Sequence, residues 1–216
     1  PAIADIFPGT LMALGVVSAV HSAQSSGKGQ FLDVGMYDAM MAFQKSAVAQ
    51  YGFTGKPNPA GLQRAMTLYP FDLFPTHDGR IAIAVGQPRH WDLLCAAMER
   101  ADLMEDERSF SNEARLANVD WVEAQICAWT QPQTRAEIMA KLDGAIPIGP
   151  VQTMADIYAD PHVQARGMLE TCSPAGDNPD IALAASPIKF SVTPTTLYQR
   201  PPNLGEHNAE VLAEFG

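Results

Sequence analysis

The chain has 216 residues, 47% of them hydrophobic and 18% charged, which supplies enough apolar material for a core and argues against disorder along the whole length. Its formal net charge of −10 and pI near 4.8 speak against nucleic acid or an anionic membrane surface as a partner, because an acidic surface repels both. The length fits one large domain or two small ones.

Taken in chain order, Pro8 reads as the first residue of a helix, where its missing N–H costs nothing. Leu11, Met12, Leu14, Val16, Val17 and Val20 continue that helix to about Gln24. It is apolar nearly all round, so burial is expected, with Gly9 and Gly15 allowing close packing. A turn at 25–29 leads to a short strand over 30–34, then a helix over 36–50 with Met40, Met41, Phe43, Ala47 and Val48 on its apolar side. Residues 52–66 are rich in glycine and proline and read as a long connection. Two apolar runs, 68–76 and 80–85, flank His77-Asp78-Gly79, a hairpin signal.

Helices follow over 88–100 and 118–129. A third, over 134–142, carries Thr134 and, three positions on, Glu137, the pattern of a capping box. Residues 146–152 read as strand or loop, 154–158 as a short helix, 168–171 and 188–191 as strands, and 209–215 as a closing helix.

The chemistry-bearing residues are sparse. Cys95, Cys127 and Cys172 form no CxxC pair, which suggests buried thiols in a reducing compartment and not a disulfide frame or zinc site. His77, His90, His162 and His207 show no metal-ligand spacing, and His21 lies on an apolar helix as a packed or surface residue. The apolar stretches read as too short for the about 20 residues a bilayer requires. No basic-then-apolar leader opens the chain, so the simplest address is cytoplasmic, with a mitochondrial matrix location also open. Pro1 and its neighbours read as a loop already inside a fold, as in a piece of a longer protein.

Residues 25–39 read SSGKGQFLDVGMYDA. This resembles the segment that marks class III (CaiB/BaiF-type) coenzyme A transferases. The same family carries an aspartate ahead of the preceding apolar helix in a D-x-x-x-G setting, matched here by Asp5-Ile6-Phe7-Pro8-Gly9. Similar agreement continues through Tyr69-Pro70-Phe71, Ile81 to Gly86 followed by Trp91 and Leu94-Cys95, Gly149-Pro150-Val151, Asp160-Pro161-His162, and Leu204-Gly205-Glu206-His207. Each match alone is weak, but their order over most of the chain is specific.

The resemblance implies an α/β fold: the end of a Rossmann-like large domain plus a small α+β domain, in an interlocked homodimer. The corresponding division is 1–55 in the large CoA-binding domain, 56–66 as linker, 67–165 as the small domain and 166–216 returning to the large domain. It implies an acyl-CoA and a small carboxylic acid as substrates, with no metal. It also implies Asp5 as the nucleophile and Met36 as a residue that contacts coenzyme A. A CoA site would have to be locally basic against the acidic background.

For each of these residues a plainer role exists. An aspartate near a helix N-terminus is most often a cap, Met36 fits a core equally well, residues 27–30 serve first as a turn, and Lys28 as a solvated charge. Two departures narrow the chemistry. The glycine run of formyl-CoA transferases is missing from 55–66, and after the AVG strand, where racemase relatives carry an acid, Gly86-Gln87-Pro88-Arg89-His90 offers none until Asp92. The reading is therefore a CoA-transferase, with a 2-methylacyl-CoA racemase-like enzyme and a non-catalytic, partner-dependent subunit as alternatives.

Overall fold

The computed structural model describes residues 2–57, 67–174, 179–195 and 200–215. Helix α1 spans Ile3–Ser26. It starts five residues earlier than expected, so Pro8 lies inside it and not at its first position. A proline here leaves the carbonyl four residues back, that of Ala4, without its helical donor. The helix ends at Gly27, whose φ of 70° is the left-handed cap conformation and whose N–H donates to Ala23 O at 2.8 Å.

Residues 28–35 run to α2 (Met36–Phe43), and α3 (Lys45–Thr54) follows after a break at Gln44. No ladder forms at 30–34, contrary to expectation. A strand exists by pairing, and no described segment runs alongside this one. Helices α1 and α2 pack through an edge-to-face pair of Phe7 and Phe43, 5.2 Å between centroids. Leu32 lies in van der Waals contact with the Gly15 position, whereas Gly9 faces open space.

The expected burial of α1 is corrected as well. Pro8 is its one buried residue, a stripe including Leu11, Met12 and Gly15 is half-covered, and Leu14, Val17 and Val20 are 64%, 67% and 52% exposed. The described elements cover a single side of an all-round apolar helix. At 24 residues α1 is also long and apolar enough to cross a membrane by length and composition, unlike the shorter stretches read from the sequence.

The core lies in the middle of the chain. Strands β1 (Phe71–Thr76) and β2 (Gly79–Ala84) form the expected hairpin, pairing Phe74 with Ile81 and Thr76 with Gly79. Strand β3 (Ile148–Pro150) adds antiparallel to β2. One face of this sheet presents Phe74, Ile81 and Ile83, all buried, to the helices α4 (Pro88–Ala97), α6 (Val119–Thr130) and α7 (Arg135–Leu142). Trp91, Leu94, Val122, Ile126, Ile138 and Leu142 complete the cluster. Each such side chain contributes about 1.5–3 kcal/mol by leaving water. A 3₁₀ turn (Ala101–Met104) and α5 (Asn112–Ala117), the latter capped by Ser111, join α4 to α6.

Local signals set the helix starts. Pro88 occupies the first turn of α4, and the capping box of Thr134 and Glu137 opens α7 as read from the sequence. A second box, Thr153 with Asp156, opens α8 (Met154–Ala159). Arg135 fastens the hairpin tip to these helices. Its N–H donates to Asp78 Oδ1 at 2.8 Å and its guanidinium reaches Val151 O and Asp156 Oδ2. Gly79, at φ 149°, lets the chain turn beneath that side chain.

Beyond α9 (Pro161–Ala165), β4 (Leu169–Cys172) pairs antiparallel with β5 (Ile181–Ala184). The strand expected at 188–191 does not form, and the pairing partner sits seven residues earlier. Helix α10 (Asn208–Phe215) closes the chain. Among the described residues every ladder is antiparallel, and they form a mixed α/β structure with small sheets. The linker expected at 56–66 falls, from 58 on, outside the described residues, as does most of the missing glycine run.

Candidate active site

Asp5 is the third residue of α1. Its N–H and that of Ile6 both donate to Ala2 O, at 3.1 and 3.0 Å. The N-cap Ala2 has no side-chain cap, and the Asp5 carboxylate takes no hydrogen bond or ion pair from any described residue. The side chain is exposed. The carboxylate is therefore unencumbered and does not cap the helix.

Met36 opens α2 behind Gly35 and is 52% exposed. Gly35 matters here, because a Cβ at that position would lie 2.8 Å from Asp38 Oδ2, so the glycine lets the Asp38 carboxylate fold back at the start of α2. Helices α1 and α2 pack together, but the Phe7–Phe43 pair sets the start of α1 against the end of α2, away from Met36 at its opening turn. No hydrogen bond links Asp5 and Met36. Among the described residues no group of three or more metal-ligating side chains comes together.

A second polar centre was not read from the sequence. A cavity of about 330 Å³ opens where β2 ends and α4 begins, lined by Gly86, Gln87, Trp91, Phe110, Asn112 and Arg115 among others. The stretch after the AVG strand thus forms part of the cavity wall, through Gly86, Gln87 and Pro88. Arg115 is 4% exposed. Its Nε donates to Tyr69 O at 2.6 Å, its Nη1 to Ser109 O at 2.9 Å, and its guanidinium stacks over Trp91 at 4.8 Å. Burial pulls its pKa down from the ordinary arginine value, with Cys95, Glu113 and Asp92 acting the other way. A guanidinium remains charged at any physiological pH. The signal for it in the sequence was an arginine between Ala114 and Leu116, three residues after an Asn that follows a Ser cap.

Asn112 supports the same wall, accepting from Tyr69 N–H and donating to Thr67 O. Nearby, Cys95 is buried and its thiol is pushed up to about 12 by desolvation, then by Asp92. It is an inert core thiol and not a nucleophile.

The profile of CoA-transferase family III matches residues 1–208, and the chain belongs to that family. Among the proteins it resembles, succinyl-CoA:mesaconate CoA-transferase of Haloarcula hispanica is 37% identical over 216 residues, which is 100% of this chain and 54% of that protein. Succinate–glutarate CoA-transferase of Agrobacterium fabrum is 35% identical over 217 residues, covering 99% of this chain and 54% of that protein. The crystal structure of a CaiB/BaiF family protein from Brucella suis superposes with a TM-score of 0.78 at 31% identity, covering 100% of this chain and 56% of that one. The chain thus spans about half the length of the curated relatives it matches.

Proposed function

We propose that the full-length protein transfers coenzyme A from an acyl-CoA to a carboxylic acid, with Asp5 as the covalent carrier. The observation that carries this reading is a carboxylate free of partners on the first turn of α1, inside a chain whose family match runs from its first residue to residue 208. Both relatives named above act, by their names, on succinate or its thioester. Short dicarboxylic acids are accordingly the proposed donor and acceptor class.

A carboxylate oxygen of Asp5 attacks the thioester carbonyl, the C–S bond breaks, and coenzyme A leaves as the thiolate. The product is an anhydride between Asp5 and the acyl group. The thiolate then attacks the Asp5 carbonyl, releasing the donor as its carboxylate and leaving an aspartyl-CoA thioester. The acceptor carboxylate repeats both steps in reverse, which returns Asp5 to its free form. Covalent catalysis of this kind divides one difficult transfer into easier ones. No step requires a metal. Helix N–H groups near Asp5 suit a developing oxyanion, since Ala2 carries no capping side chain that would occupy them.

Met36 is proposed as a contact to coenzyme A. The division at 1–55, 56–66, 67–165 and 166–216, a Rossmann-like large domain completed by residues outside this chain, an interlocked homodimer and a cytoplasmic location away from membranes belong to the same proposal. Helix α1 fits it as the core helix of a soluble protein whose outer face other residues cover.

The test is trapping in the full-length protein. Incubation with succinyl-CoA and then hydroxylamine converts an aspartyl thioester to a hydroxamate, which mass spectrometry locates. Modification at Asp5 is the expected result. An unmodified Asp5 in a protein that still transfers coenzyme A removes the nucleophile assignment. Exchange of α-protons of an acyl-CoA with solvent, without any acceptor acid, would instead identify racemase-type chemistry.

A further inference from the structure

Arg115 has an unfilled place. It is 4% exposed, and none of the ion pairs among the described residues includes it. Buried charges are normally paired, because removing an ion from water is costly. Two of its nitrogens are spent on the carbonyls of Tyr69 and Ser109, which fix the guanidinium in place. Stacking on Trp91 offsets part of the desolvation. The third nitrogen, Nη2, donates to no described residue, and Arg115 lines the cavity of about 330 Å³ at the end of β2. A preoriented cation with a spare N–H, opening on a cavity with apolar walls from Trp91 and Phe110, lacks an anion.

We propose that this cavity holds the carboxylate of a short-chain organic acid, an oxygen of which accepts a hydrogen bond donated by Arg115 Nη2. The acid's chain lies against Trp91 and Phe110. Asp92 and Glu113 also line the cavity and are exposed. They oppose any anion, which disfavours a multiply charged phosphate and leaves one carboxylate as the fitting load. Being solvated, they act through screened fields, whereas Arg115 acts by a charge-assisted hydrogen bond. The source of the carboxylate rests on the transferase reading: either a free acceptor acid or the distal carboxylate of a dicarboxylyl-CoA.

The probe is succinate, titrated calorimetrically into the full-length protein. Arg115→Met is expected to weaken binding about ten- to a hundredfold, the range for a hydrogen bond to a charged group. Phe110 is 60% exposed, so Phe110→Glu places a repelling charge at the mouth without disturbing the core and is expected to weaken binding about tenfold. It decides the matter alone if Arg115→Met does not fold. Asp92→Asn and Glu113→Gln are expected to tighten binding about two- to fivefold at low salt. Asp5→Asn is expected to keep succinate binding while losing transfer, which separates this pocket from the covalent chemistry.

Wild-type affinity in a folded Phe110→Glu protein overturns the proposal, as does the absence of succinate binding to the wild type at millimolar concentration. A rise in KM for succinyl-CoA but not acetyl-CoA in Phe110→Glu identifies the thioester's distal carboxylate as the occupant. A rise confined to free succinate identifies the acceptor. Succinate binding by a wild type that transfers no coenzyme A would retire the transferase reading and leave the pocket standing.

Discussion

Residues 67–150 and residues 2–57 use their apolar side chains differently. In the first region Phe74, Ile81, Leu94, Leu103 and Ile126 are all fully buried between a three-stranded sheet and its helices. In the second, Phe31, Tyr37 and Phe53 are 91%, 77% and 92% exposed, and α1 buries one residue out of 24. The middle region satisfies itself. The leading helices present a surface whose partners are not among the described residues, and the candidate nucleophile is on them. On the proposed function, the packed core and the covalent step belong to separate parts of the sequence.

That separation is open to attack from both sides. Its largest expected effect is on turnover: Asp5→Ala in the full-length protein should lower the rate of CoA transfer roughly 10⁴-fold or more while leaving the thermal midpoint within a degree or so of wild type. A large drop in midpoint would show Asp5 to be structural. Next, Leu94→Ala should cost about 3 kcal/mol in chemical denaturation, through lost transfer energy and a cavity, with little change in KM. The matched substitution Val17→Ala, at a position 67% exposed, should cost less than about 0.5 kcal/mol in the 216-residue chain. A cost above about 1 kcal/mol in the longer protein would put Val17 beneath residues outside this chain.

Smaller effects lie in helix caps and surface ion pairs. Thr134→Ala removes half of the capping box on α7 and should cost about 1 kcal/mol. Asp106, beside the Arg108 guanidinium, is held down to about 2. Glu206, beside Arg200, is likewise held at about 2. A depressed carboxylate adds stability that is complete above its unfolded value and lost as pH falls through its folded one. Acid titration followed by circular dichroism should show a shallow loss between about 4.5 and 2, weakened further by salt because both pairs are on the surface. Loss of stability beginning at neutral pH would contradict it.

What could be read from the sequence follows the same division. The hairpin around His77-Asp78, the proline at the start of α4 and the Thr134–Glu137 box are set by neighbours within a few residues, and each appears where its residues indicate. Features that depend on a distant partner were misplaced. The strand expected at 30–34 has no ladder, the one expected at 188–191 gives way to Ile181–Ala184, and the all-round apolarity of α1 indicates coverage that the described residues do not supply. The short helices α5 and α9 were not anticipated, since five or six residues carry too little periodicity to register. At the candidate site, Asp5 was singled out by the family resemblance of residues 5–9 and 25–39. Arg115 was not, because an arginine in a short helix looks like a solvated charge until the fold folds Trp91 under it and Phe110 beside it.

Pro8 gives α1 a mechanical peculiarity. By lacking an amide it unlatches the carbonyl of Ala4, so the opening turn is tethered to the rest of the rod by one rung fewer than its length would provide. In the reaction proposed above, such a turn would let the Asp5 carboxylate pivot without unwinding the 24-residue helix behind it. Amide exchange at Asp5 and Ile6 should accordingly outpace exchange at Val16 and Val17.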